Sequence, residues 1–251
     1  MAVFSAGVGG GDLADWAING FSLDNAVGWN HPLSGSDIAV LGALSYAVNT
    51  TTLASLTRAM KCDGVTMDSL GVVAWNDLSG GGWTEVFGLV GVPEGTPRIT
   101  ASVEGAGTSQ RVIRGSSVAY TGVEGIGDVT TAFDTGTALA VAGDASAASM
   151  IAAFFGTRSG LSNANETQRY LQNTSTSLLI SEARGTGSSF DFTASRALSG
   201  PWSAITVVLN PSSSVASVQP IVVAPRITAE LGRVPRPTGP RRVIFDVEPE
   251  D

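Results

Sequence analysis

The chain has 251 residues, of which 43% are hydrophobic and only 14% charged, and its formal net charge is −8. That length supports a core without disulfide or metal staples, and the negative balance argues against nucleic acid held by clustered Lys and Arg. Charge is sparse beside the roughly 25% of ordinary globular domains; Gly, Ser, Thr, Ala and Asn take its place, as on a surface that packs against partners or one that is merely polar and uncharged.

Residues 1–35 open Gly-rich and then read DLADWAIN, where Asp12 suits a helix N-cap and Gly20 a stop. A helix this short must dock on something, so residues 1–35 are expected to form an N-terminal docking segment. The first residues carry no Lys or Arg and no sustained apolar stretch, so no secretory signal is expected. The longest apolar run, 38–48, is interrupted by Ser45 and is far short of the roughly 20 residues of a membrane span. Membrane insertion is not expected.

From Phe21 to Leu209 the pattern is that of strands: Val, Ile, Thr, Leu and Phe in short runs between Gly, Ser, Asn and Asp clusters. Strands are predicted at 38–48, 57–62, 65–67, 71–76, 85–91, 98–103, 111–120, 139–142, 148–155, 168–173, 178–183, 190–194 and 202–209. In WSAITVVLN both alternating faces are apolar enough to be covered. Asp63-Gly64 lies between two short apolar runs and predicts a tight hairpin. In GVPEGTP, Pro93 presets φ and Gly95 permits a positive φ, which suits a turn between the flanking strands. Many short strands at these spacings predict an antiparallel β-sandwich over 36–211. Residues 212–251 are a Ser-rich linker followed by a Pro-rich extended arm. Within it, RRVIFDVEPED reads as one strand with an acidic end. The apolar Val243, Ile244, Phe245 and Val247, preceded by Arg241 and Arg242, form a candidate assembly strand. It either adds to a neighbour's sheet or folds back on its own domain.

The chemistry-bearing inventory is thin. His31 is the only histidine and precedes Pro32, which biases it toward an extended loop; a hydrogen-bonding role is expected. Cys62 is the only cysteine, so no intrachain disulfide can form; beside Met60 and Met67 it reads as a buried hydrophobe. Neither a nucleophile-elbow motif nor a phosphate-binding glycine motif occurs, and no His/Cys cluster suits zinc. Asp63, Asp68, Asp77 and Glu85 are the carboxylates that a glycosidase would pair across a cleft, though turn-forming or solvated roles suit them better. No catalytic residue, metal or cofactor is expected. Trp75 and Trp202 read as core residues. Trp83, after Gly80-Gly81-Gly82, reads first as a buried plug beneath the glycine loop and, as the lesser alternative, as the candidate glycan platform.

The stretches TRAMKCDGVTM, GVVAWNDL, WTEVFGLVGVPEGTPRITASVEG and SSVAYTGVEGIGDVTTAFDTGTALAV resemble, in this order, a jelly-roll (concanavalin-like) domain of minor tail proteins of actinobacterial phages and of some secreted bacterial proteins. The matching landmarks are Gly64, Trp75, Pro93 to Thr96, Tyr120 to Val123, and Trp202, within about residues 36–211. The arm's end resembles short Val-rich, Pro-Glu-Asp ends of phage tail and decoration proteins. The resemblance implies an all-β, jelly-roll-like virion component, made in the host cytoplasm and placed at the tail tip or on a side fibre. Its implied partners are other phage tail proteins and copies of itself, with a host surface or cell-wall glycan in reach, and the family implies no catalytic residues. A carbohydrate-binding module and a capsid decoration protein are the rival readings. Residues 1–35 have no counterpart in the family.

Overall fold

The β-branched and aromatic runs fold as strands and the Gly, Asp and Asn clusters as turns; among the described residues no α-helix forms. The computed structural model describes residues 4–13, 26–48, 53–75, 81–105, 112–158, 160–173 and 176–213. These belong to one unit, Met1–Ala216. The second unit, Ser217–Asp251, lies outside the described residues, and with it the expected assembly residues Arg241, Arg242, Val243, Ile244, Phe245 and Val247.

In chain order the strands are β1 (Phe4–Leu13), β2 (Ala26–Asn30), β3 (Ile38–Val48), β4 (Leu56–Cys62), β5 (Val65–Thr66), β6 (Asp68–Ala74), β7 (Gly81–Val92) and β8 (Arg98–Gly105). They continue with β9 (Val112–Thr121), β10 (Val123–Gly143), β11 (Met150–Thr157), β12 (Leu161–Ser162), β13 (Thr167–Asn173), β14 (Ser177–Arg184) and β15 (Phe190–Pro211). All named pairings are antiparallel. The central sheet runs β1-β9-β3-β7-β6, a second runs β10-β15-β11-β14-β13 with β12 beside β15, and a third runs β2-β8-β4-β5.

The protein is an all-β sandwich, and the central sheet is covered on both faces. On β3, Ile38, Val40, Leu44 and Tyr46 pack with Trp29, Met60, Ile99 and Val103 of the β2-β8-β4-β5 sheet. The intervening Ala39, Leu41 and Ala43 pack with Phe154, Ile180, Ile205 and Val207 of the β11–β15 sheet. This double burial is why 38–48 reads as a continuous apolar run and not as an alternation. Where β4 crosses β3 the layers approach closely: a Cβ on Gly42 would collide with the Met60 sulfur.

A third apolar layer forms behind β11. The β10–β15 pair shifts register between Val123 and Gly125 and between Ile126 and Val129, runs regularly from Val129↔Val207 to Gly136↔Gly200, shifts again, and resumes at Ala138↔Ser195. Its far half carries Leu139, Val141, Phe192 and Ala194 into a cluster with Ile151, Phe155, Leu179 and Ala204. The residues of WSAITVVLN from Trp202 to Leu209 are all buried, as the apolar character of both faces predicts. The Asp63-Gly64 hairpin has φ of 49° and 82° at its central residues, the left-handed pair of a type I′ turn.

Four expectations are corrected. Asp12 is not a helix cap; it pairs opposite Arg114 in β1, while 14–20 lie outside the described residues. Residues 4–13 and 26–30 are strands of the sandwich, paired to β9 and β8. Residues 190–194 and 202–209 belong to one strand, and β10 begins at Val123 rather than near residue 139. The sandwich continues past 211: the Ser212 N–H donates to the Gly122 carbonyl at 2.8 Å.

Candidate functional site

Period two sets which polar side chains enter the layers. On β7, Trp83, Glu85 and Phe87 share the face toward β4. Glu85 is 1% exposed, and three other strands satisfy it. Ser69 Oγ of β6 donates to Oε1 at 2.8 Å. The Tyr46 hydroxyl of β3 donates to Oε2 at 3.3 Å. Arg58 Nη1 of β4 lies 3.5 Å from Oε2. Burial pushes the Glu85 carboxyl above the ordinary carboxylate range, against the opposing pull of Ser69, Arg58 and Tyr46. Burial, and then the Glu85 charge, raise the Tyr46 phenol. The cluster ties the central sheet to β4 through polar contacts within an otherwise apolar layer.

The remaining carboxylates do not join it. Asp68 lies opposite Gly88, on the other face of the sheet from Glu85. Asp63 accepts the Arg98 N–H at 3.1 Å, a turn-stabilising role. Asp77 lies outside the described residues.

His31 and Ser117 form a second polar contact. The His31 ring is fully buried and its Nδ1 lies 2.7 Å from Ser117 Oγ. The same oxygen accepts the Trp29 indole N–H at 2.8 Å, and the His31 backbone N–H donates to the Pro97 carbonyl at 3.0 Å. The imidazole–hydroxyl pair resembles a base and nucleophile in residue type, and both side chains are 0% exposed. The contact joins the end of β2 to β9.

A third group sits between the central sheet and β14. Arg169 of β13 forms a close ion pair with Glu182, and the Tyr120 phenol, fully buried beside it, is raised first by burial and then by the Glu182 charge. At the opposite end of this layer Ser203 donates to Thr84 Oγ1 at 2.8 Å, and Arg114 Nε donates to the Thr176 carbonyl at 3.3 Å. Among the described residues no group of three or more His, Cys, Asp or Glu is placed to hold a metal ion.

The candidate platform Trp83 is 3% exposed and stacks on Tyr46 with ring centroids 5.6 Å apart and planes 28° apart. A ring sealed in the core has no face for a sugar, so the lesser glycan-platform reading is corrected, and the buried plug read first from the sequence is what the fold shows. Trp75 and Trp202 are buried as expected, as is Cys62.

The feature that sequence reasoning missed is an edge. β10 stands at the end of its sheet and pairs only with β15 among the described residues. Its stretch 128–138 is largely solvent-facing, with Phe133 75% exposed and Asp128 and Asp134 also exposed. Near the start of this strand the Ser213 N–H donates to Glu124 Oε2 at 3.0 Å. No protein-family model, curated protein or solved structure matches the chain.

Proposed function

We propose that the chain is a structural virion subunit, a minor tail protein of the tail tip or a side fibre that works through protein–protein contacts and makes or breaks no covalent bonds. The observation that carries the structural role is the open β10 edge. It combines a long row of backbone groups with an exposed aromatic ring. The polar side chains that would suggest chemistry support the same reading. Glu85, His31, Ser117 and Glu182 are spent holding sheet to sheet and are closed to solvent. The tail assignment rests on the ordered landmarks from Gly64 to Trp202.

In this reading the arm's Val243, Ile244, Phe245 and Val247 bury against a neighbouring subunit, and Arg241 and Arg242 set register by pairing with acidic residues there. The partners are other tail proteins and further copies of this chain. Gold-labelled antibodies against the chain should decorate the tail of purified particles. Label on the capsid shell would replace the tail assignment with a decoration role, and absence from particles would overturn the virion reading. Deletion of 214–251 should sharply reduce incorporation while leaving the sandwich folded.

A further inference from the structure

Among the described residues, β10 pairs on one side only. From 129 to 136 it pairs residue by residue with 207 to 200, so its outer side presents an equally regular row of backbone donors and acceptors. Register shifts flank this stretch, between Ile126 and Val129 and between Gly136 and Ala138, and none interrupts it. It holds no Pro and no Lys, the usual guards of an open edge. Thr130 and Asp134 on one face, and Thr131, Phe133 and Thr135 on the other, are all exposed. The Phe133 ring is 75% exposed.

Such an edge can pair antiparallel with its own copy across a two-fold axis, and the sequence restricts how. Opposed residues must make the same kind of rung, and the groups of β10 that face away from β15 alternate along the strand. A symmetric pair therefore centres on a residue that faces itself. Centring on Asp134 opposes like charges. Centring on Phe133 sets Asp134 diagonal to its own copy, about 7–8 Å away. Centring on Thr131 pairs only 129–133 of the regular stretch, and centres nearer either end pair less. Centring on Ala132 pairs 129–135 and keeps the Asp134 carboxylates roughly 14 Å apart along the ladder. In that register Thr131 faces Phe133, a β-branched residue against an aromatic one, and the two Phe133 rings lie diagonally within reach of each other. Thr130 faces Asp134, a hydroxyl donor against a carboxylate.

We infer that β10 pairs with β10 of a second copy of this chain, antiparallel, with Ala132 opposite the same residue of the copy. The sheet then runs unbroken through both chains. The contact is isologous and closed, so copies are taken up in twos. A single strand pair buries less than the roughly 1,200–2,000 Å² of a standard interface. Free subunits at low micromolar concentration therefore meet only transiently, and neighbours in an assembly hold the pair by raising the local concentration. The inference rests on the proposed reading of this edge as an assembly surface and adds its occupant and register.

The test uses the full chain with single cysteine substitutions; the native Cys62 is buried. Ala132→Cys places thiols on opposed residues, with Cα atoms about 4.5–5.5 Å apart, inside the disulfide range. Thr135→Cys, at a more exposed position, places them about 20 Å apart. At about 100 µM chain in a glutathione redox buffer, Ala132→Cys should form the covalent dimer about ten-fold faster than Thr135→Cys. Adding Phe133→Asp to Ala132→Cys should abolish that advantage, because it sets like charges diagonally across the axis. Thr131→Asp, on the same face, should do the same. Both positions are exposed, so each variant should keep the parental urea transition. Equal or reversed rates, or an advantage that survives both aspartate substitutions, would overturn the pairing. None of these outcomes touches the tail assignment, which the label on particles decides, so the two can fail separately.

Discussion

The two edges of the β10-β15-β11-β14-β13 sheet are finished differently. β13 is 7 residues long, breaks register between Gln168 and Tyr170, and turns Arg169 onto the buried Glu182 of its neighbour. Short length, a bulge and an anchored charge are the devices by which an edge refuses further strands. β10 is 21 residues long and leaves an unbroken stretch, 129–136, with Phe133 exposed. The same sheet is therefore closed on one side and receptive on the other.

This contrast assumes that both edges hang on one cooperative sheet, and the largest expected effect tests that. Phe154 of β11, 0% exposed, lies between the two edges in the layer shared with the central sheet. Phe154→Ala should cost about 3–5 kcal/mol in a single unfolding transition by urea or heat. Two separable transitions would mean that the edges belong to independent halves and would break the comparison.

The next effect sharpens the β13 side. Glu182→Gln removes the acceptor charge of Arg169 and should cost roughly 1–3 kcal/mol, less than a fully buried pair would because Arg169 is 34% exposed. It should also raise hydrogen exchange in β13 more than in β10. Equal loosening of both edges would show that the ion pair does not guard β13 in particular.

The smallest effect concerns pH and serves as a control on the other interlayer. The folded Glu85 carboxyl titrates above its unfolded value, chiefly because of burial. The folded state therefore holds this proton more tightly, and the stability it contributes is full at low pH and lost as pH rises through the folded value. Glu85→Gln, which keeps an acceptor for Ser69, should gain in stability relative to the parent between pH 4 and pH 7. Urea denaturation at both pH values measures it. A relative loss over that range would mean that Arg58 and Ser69 outweigh burial.

Much of the fold was legible because burial writes a pattern. Ile38–Val48 was placed at both ends, since a strand covered on two faces is apolar throughout. The Asp63-Gly64 turn was legible because few residues other than Asn, Asp and Gly accept both positive φ values. β1, with the sequence FSAGVGGGDL, was not legible, because glycines give no side-chain period to read. Most of β10 was missed for the opposite reason: its faces are largely solvated, so Thr, Gly and Asp fill it and no alternation appears. The Glu85 cluster draws Ser69, Tyr46 and Arg58 from β6, β3 and β4, and no spacing along the chain announces such a meeting. Trp83 reads first as a buried plug and is buried, but the loop expected before it is already strand at Gly82, in β7.

Hydrogen exchange along β10 tests the receptive edge most directly, comparing the isolated subunit with the subunit in assembled particles. Slow exchange of alternate amides across 129–136 in the assembled subunit, fast in the isolated one while β11 and β14 stay unchanged, is the predicted result. Identical exchange of that stretch in both states would contradict the account.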